Sequence, residues 1–339
     1  MFLSFYRFAI VFYVFVFVAS LSVISPVNAE NKNPIEIKEW TVPYDGRPRD
    51  PFAFGSDKVW FVDQVNGYLA NLTPSTGQFF KRELGDDAGP HNLIVGNDGM
   101  VWFAGNLNGY IGRYDPKTDK IERIEMPDPE AGDPHTLVFD AEQKHIWFTV
   151  QHGNFIGRLR LSDRSVELIK VPTKNARPYG IKVAANGTPW VVLLGTNKLA
   201  SLDPSTLALT EYVIPADKAR PRRLEITTDG RIWYADYARG KLGGYDPKSK
   251  KFKEWSLLSG DRSAPYGMAV DANDIVWVVE TGIEPNQFVG FDTQAEKIVS
   301  NTPIPSGGGT IRHMMFDPST GYVWFGADSL TIGRANVSK

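Results

Sequence analysis

Two sets of polar residues in this 339-residue chain have types that can do chemistry. The first set follows short entry phrases, most with a proline, that each lead into an apolar run: Gly89-Pro90-His91, Asp133-Pro134-His135, Arg177-Pro178-Tyr179, Arg220-Pro221-Arg222-Arg223, Ala264-Pro265-Tyr266 and the degenerate Ile311-Arg312-His313. An earlier phrase of the same form is Asp50-Pro51-Phe52. The second set is acidic: Asp63, Asp236 and Glu280 each lie three residues after a tryptophan, and Asp328 lies four after one. Histidine can move a proton near neutral pH, and arginine can hold a developing oxyanion. Clustered carboxylates supply hard oxygen ligands for a divalent cation. The expected catalytic group is therefore His313, Arg312, Tyr266 and Arg222, the expected metal ligands are Asp328, Glu280, Asp63 and Asp236, and the expected ligand contacts are His91, His135, Tyr179 and Arg223. The same residues would also suit a salt-bridge network and aromatic packing that close the space.

What must position these residues is a repeat. Seven of nine tryptophans (Trp60, Trp102, Trp147, Trp190, Trp233, Trp277 and Trp324) are spaced by 42, 45, 43, 43, 44 and 47 residues. Most sit in one phrase, such as Val59-Trp60-Phe61, Ile146-Trp147-Phe148 or Val323-Trp324-Phe325, with Pro189-Trp190-Val191 irregular. A period in the forties with Gly, Asn and Asp punctuation marks a β-blade repeat. Each unit reads as an entry strand, a tight turn such as Asp98-Gly99 or Asp229-Gly230, the Trp strand, an Ile-Gly-Arg strand (Ile111-Gly112-Arg113, Ile156-Gly157-Arg158, Ile332-Gly333-Arg334) and an outer strand of alternating polarity. The last unit lacks an outer strand, whereas Ile35 to Pro43 matches the outer-strand phrase Phe252-Lys253-Glu254-Trp255-Ser256. The expectation is an all-β, seven-bladed propeller of four-stranded antiparallel blades, closed by its N-terminal strand. Entry loops of such a ring face a common central funnel, and blades five, six, seven and one would carry the acidic set along one arc of it.

Composition narrows the function. A hydrophobic content of 42% with 12% aromatics supplies a core, and a net charge of -2 gives no general attraction to nucleic acid or anionic membranes. The chain has no cysteine, which excludes disulfides, thiol nucleophiles and thiolate metal sites. Residues 1–29 differ in kind: Arg7 precedes the apolar run Phe8 to Ser20, and Val27-Asn28-Ala29 ends in small residues of the type a signal peptidase reads. These residues are expected to be a cleaved export signal ahead of a propeller over 30–339, giving a periplasmic or secreted monomer free of the membrane after cleavage. A retained anchor is the alternative, since apolar character extends to about Ile24.

With its Pro-aromatic or Pro-His entries, Trp-Phe strands, Ile-Gly-Arg strands and outer strand, the chain resembles the streptogramin B lyase (virginiamycin B lyase) family of seven-bladed propellers, over about residues 35 to 337. The resemblance implies ring opening of a cyclic depsipeptide at its ester by elimination. A general base removes the proton α to a carbonyl, the carboxylate leaves, and Mg2+ polarises the substrate. By position, Phe52 replaces the family's Tyr, Tyr266 replaces a Pro-His histidine, and Arg312, with His313 beside it, replaces another. Thr310 lies where an acidic residue is expected, and Asp328 is one methylene shorter than the family's Glu. The expected function is a lyase-like action on, or binding of, an ester-containing small molecule in the central funnel, with Mg2+ as candidate cofactor. The alternatives are a non-catalytic propeller that binds a protein or glycan, and a lactonase-type hydrolase.

Overall fold

The computed structural model describes residues 33–85 and 87–338, so the export signal read over residues 1–29 lies outside the described part. Apart from two short 3-10 turns, Pro129–Ala131 and Gly260–Arg262, the regular elements are all strands. They form seven sheets of four strands each, antiparallel from neighbour to neighbour, which makes a seven-bladed β-propeller. The innermost strands of blades 1 to 7 are Pro48–Ala53, Pro90–Val95, Pro134–Phe139, Pro178–Val183, Pro221–Ile226, Pro265–Val270 and Ile311–Asp317. Each packs against the next around one axis.

Blade 7 takes its fourth strand from the other end of the chain. Ile37–Thr41 runs antiparallel to Thr331–Asn336, with Trp40 opposite Ile332. The joint is reinforced by Glu39, whose Oε1 accepts from Thr331 Oγ1 at 2.7 Å and whose Oε2 accepts from the Ser306 amide at 2.8 Å. Trp40 also stacks on Trp324 with ring centroids 5.8 Å apart. The ring is thereby sealed, because Ile37–Thr41 pairs the edge that Thr331–Asn336 would otherwise expose.

The sequence phrases have packing causes. Second strands such as Val59–Asp63, Val101–Gly105 and Ile232–Asp236 are buried at every residue, because neighbouring blades cover both their faces. A continuous apolar run is what such a strand needs. In the third strands, Gly112, Gly157 and Gly333 lie opposite Phe103, Phe148 and Phe325, whose rings fill the space a Cβ would take. The arginine that follows lies across from the ladder tryptophan, with Arg113, Arg158 and Arg334 at 5.7, 5.4 and 5.9 Å from Trp102, Trp147 and Trp324. The Ile-Gly-Arg motif is thus a fit between ring, backbone and cation–π contact.

Every innermost strand breaks register near its start. In blade 2, Pro90 pairs with Gly105 and Leu93 with Phe103, so His91 and Asn92 together oppose Ala104 alone. Blades 3 to 7 carry the same shift, and blade 1 carries it one residue later, with Asp50 and Pro51 together opposing Phe61. A bulge of two residues against one turns both successive side chains toward the axis. Removing residues 1–43 should strip blade 7 of its outer strand. We expect such a chain to aggregate and lose its cooperative melt, whereas one starting at residue 30 melts as the full chain does; calorimetry with size-exclusion chromatography separates the two outcomes.

Candidate functional site

Around these breaks in register, two tiers of residues face the central channel, with Gly180 and Gly267 contributing backbone alone. Arg49, His91, His135, Tyr179, Arg222, Tyr266 and Arg312 form the tier nearer the entry loops, and Asp50, Asn92, Thr136, Gly180, Arg223, Gly267 and His313 form the tier beneath. In the upper tier, aromatic rings follow one another around the axis: His91 and His135 have centroids 3.6 Å apart, and His135 and Tyr179 4.0 Å. The hydroxyls of Tyr179 and Tyr266 are hydrogen-bonded to each other. Arg222 lies over Tyr266 at 3.7 Å and over the rim residue Tyr237 at 4.4 Å. Arg49 Nη2 donates to His91 Nε2 at 3.0 Å, and His91 Nδ1 bonds the His135 carbonyl at 3.2 Å, so the geometry assigns the neutral Nδ1–H tautomer to His91.

The lower tier ties blades together across the axis. Asp50 accepts from Arg49 Nε at 3.0 Å and from Asn92 Nδ2 at 2.9 Å, and its Oδ2 lies 3.6 Å from Arg223 Nη2. Arg223 reaches onward to Thr136 Oγ1 and to the Arg312 carbonyl, both at 3.0 Å. The structure therefore brings His91, His135, Tyr179, Arg222, Arg223 and Tyr266 into one buried cluster. His313 faces the far end of the channel instead, where it lines a cavity of about 330 Å³ with Phe52, Met314, Met315 and the Lys182–Glu225 ion pair, itself 2.8 Å long. Arg312 turns toward the entry side and forms a two-pronged pair with Asp328, one prong at 2.7 Å. The expected partnership of Arg312 and His313 in one reaction centre is not formed.

The expected carboxylate cluster also separates. Asp63, Asp236 and Glu280 pair across the sheet from the entry residue of their own blade and point away from the axis. Each is fully buried and holds the loop that leads into its inner strand. Asp63 accepts from the Arg47 amide and, at 2.7 Å, from Asn66. Asp236 accepts from the Arg220 amide at 2.9 Å, and Glu280 from Ser259 N and Oγ at 2.9 and 3.0 Å. Alternation is the cause: the third and fourth residues after the tryptophan project to opposite faces, so only Asp328, at the fourth, reaches the mouth. Among the described residues no three His, Asp or Glu groups converge as metal ligands would. With three of the four carboxylates committed to backbone and the fourth to Arg312, this donor set does not fit Mg2+.

Blade 1 requires a second correction. Its entry phrase is Pro48-Arg49-Asp50, because Pro48 pairs with Asp63 as Pro90 does with Gly105, while Phe52 lies opposite Trp60 toward the far end. The signal was present in spacing: Pro48, Pro90, Pro178, Pro221 and Pro265 each precede their tryptophan by twelve residues, whereas Pro51 precedes Trp60 by nine. Reading Pro51 as the marker hid Arg49 and Asp50. Asn92 and Thr136 escaped notice because only the bulge turns the second residue of each phrase inward.

Burial and a surplus of arginine govern the protonation states. Burial would raise the Asp50 carboxyl, but Arg49, His313 and Arg223, with the Asn92 bond, hold it well below the ordinary carboxylate range. His91 and His135 are driven well below 6.5, first by burial and then by the neighbouring arginines, and both are neutral at pH 7. His313 is lowered to about 3 by burial, against the pull of Asp50 and with Arg223, Lys182 and Arg49 adding to the effect. For Tyr179, the charges of Arg222, Arg223 and Arg49 overcome burial and lower the phenol, while burial and Tyr179 itself raise Tyr266. The pair can therefore share one negative charge, with Tyr179 the more acidic member.

A sealed seven-bladed propeller whose entry-side channel is lined by histidine, tyrosine and arginine is a ring scaffold with its polar groups gathered on the axis. The chain belongs to the virginiamycin B lyase family, whose model matches residues 29–286. Among solved structures, the virginiamycin B lyase of Staphylococcus aureus superposes with a TM-score of 0.80 at 22% identity, covering 89% of this chain and 99% of that one. A catalytically inactive histidine-to-alanine variant of that enzyme with quinupristin gives the same values. A streptogramin B lyase structure matches with a TM-score of 0.80 at 23% identity, covering 91% of this chain and all of the other. At these identities the structures show a shared fold. A search among curated proteins finds no significant match.

Two outcomes follow from the cluster. Asp50 is 1% exposed and has a left-handed backbone of φ 50, which Asn tolerates, so Asp50→Asn removes charge with little change of shape. It should cost about 3–5 kcal/mol in denaturant unfolding, because Arg49 and Arg223 lose their shared carboxylate. The second outcome is an acid-side loss of stability. His91, His135 and His313 stay neutral in the fold between pH 7 and pH 5, so below 6.5 the unfolded chain binds more protons and stability falls with pH. The slope should be about 1.4 kcal/mol per pH unit for each histidine. Glu225 and Asp236, raised chiefly by burial, act the other way. Urea midpoints between pH 7 and pH 5 test the slope.

Proposed function

We propose that this protein opens an ester-containing small molecule at the entry-side mouth of its channel by elimination, with arginine doing the work expected of a metal. The observation that carries the reading is the Tyr179–Tyr266 hydroxyl pair, bonded together beneath Arg222 and beside Arg223. A phenolate at Tyr179 is a base of suitable strength for a proton α to a carbonyl. The proton passes from carbon to the Tyr179 oxygen, the electrons left on carbon form the double bond, and the β C–O bond breaks toward the carboxylate. Arg222, half-buried at the mouth, stabilises the enolate oxygen that develops between these events. Membership of a lyase family supports the reaction class. The leader in residues 1–29 supports an exported location.

A second reading has an observation of its own. The Tyr179 and Tyr266 hydroxyls satisfy each other and are buried, an arrangement equally suited to a rigid plug under a non-catalytic ligand site. Incubation with a cyclic depsipeptide ester in a metal chelator, followed by mass spectrometry, separates the possibilities. Elimination gives a ring-opened product of unchanged mass, whereas hydrolysis adds a water and would favour a lactonase. Tyr179→Phe should lower kcat/KM by about 10²–10⁴. Loss of turnover on chelation would refute the metal-free mechanism. Binding without turnover would favour the non-catalytic reading.

A further inference from the structure

The channel carries more positive charge than its carboxylates balance. Arg49, Arg222, Arg223, Arg312 and Lys182 bring five cations, and Asp50, Asp328 and Glu225 bring three anions already engaged in ion pairs, so with both channel tyrosines protonated five minus three leaves two charges over, and with one of them ionised one is left. Arg222 is the member with no carboxylate partner, and its buried Nε has no hydrogen-bond acceptor. Arg223 Nη2 is also without an acceptor, its Asp50 contact of 3.6 Å being too long for a hydrogen bond. Arg223 is 4% exposed, and both guanidiniums lie over the same two rings: Arg222 is 5.3 and 3.7 Å from Tyr179 and Tyr266, and Arg223 is 5.1 and 5.9 Å from them. A buried guanidinium lacking a partner is destabilising. Unpartnered donors on two neighbouring arginines are what a bound anion would complete.

We propose that Arg222 and Arg223 form a receptor for a carboxylate, and that the carboxylate it serves is the leaving group of the elimination. The leaving-group role rests on the lyase reading; the receptor rests on the charge surplus and the unpartnered donors. Guanidinium matches a carboxylate better than any other side chain does. The charge also balances through the reaction. When Tyr179 takes the proton its negative charge disappears, and the electron pair of the broken C–O bond restores one negative charge on the departing carboxylate. The same guanidiniums hold the charge before and after.

Bound carboxylate and ionised Tyr179 are then alternatives. The groups facing the phenol are Arg222, Arg223, Arg49, Tyr266 and His135, and an added anion among them lowers the positive field that favours phenolate. The test uses the full chain in sodium acetate or sodium chloride at equal ionic strength. Acetate should raise Tm and move the earliest tyrosinate absorbance change to higher pH. Arg222→Gln, with its fold checked by circular dichroism, should lose both responses. Identical behaviour in acetate and chloride overturns the receptor without need of any variant, as does a full acetate response in Arg222→Gln. An acetate response without ring opening leaves the receptor intact and removes its leaving-group role. Ring opening without an acetate response does the reverse, leaving the lyase reading and refuting the receptor.

Discussion

Seven inner strands converge on one axis, and whatever their bulges project must share a space too narrow for idle polar groups. Most of the arrangement follows from that constraint. Charges brought so close must be paired, shared or neutralised, and the lower tier does this through Asp50, which serves Arg49 and Arg223 with Asn92 holding its second oxygen. The histidines adapt by staying neutral. The tyrosines adapt by bonding to one another. Arg222 has no carboxylate partner among the described residues, and its charge faces the rings of Tyr179 and Tyr266.

The blades divide structural from chemical labour. Carboxylates that resemble metal ligands in type, Asp63, Asp236 and Glu280, spend their oxygens on the loops that feed the inner strands. They fix the backbone from which the channel residues hang, and their influence on the axis is through that backbone. The family scaffold is retained, and a tyrosine pair and a set of guanidiniums line its axis. Guanidinium differs from a divalent ion in demanding planar, directed acceptors, which narrows the molecules such a mouth can hold.

Much of the architecture was legible in the sequence because packing repeats. The ladder from Trp60 to Trp324 counted the blades, and the likeness of Ile35–Pro43 to Phe252–Ser256 gave the closure. The axis was legible only in part. His91, His135, Tyr179, Arg222, Arg223 and Tyr266 are legible from their entry phrases and do meet, but Arg49 and Asp50 are hidden behind Pro51, and His313 lies toward the far end of the channel rather than with Arg312. A displacement of three residues in one phrase conceals Asp50, the only carboxylate among the described residues in the core of the cluster.

By itself the sequence determined blade number, strand order, closure and which phrases approach the axis, since each of these is set by periodic burial that neighbouring repeats reinforce. Tertiary structure alone decided which polar groups meet. A single step along a strand reverses the face on which a side chain lies, and a single bulge restores it. Residue type fixes what a group could do, but whether Asp236 binds a loop amide or a ligand depends on a direction in space that no spacing along the chain specifies.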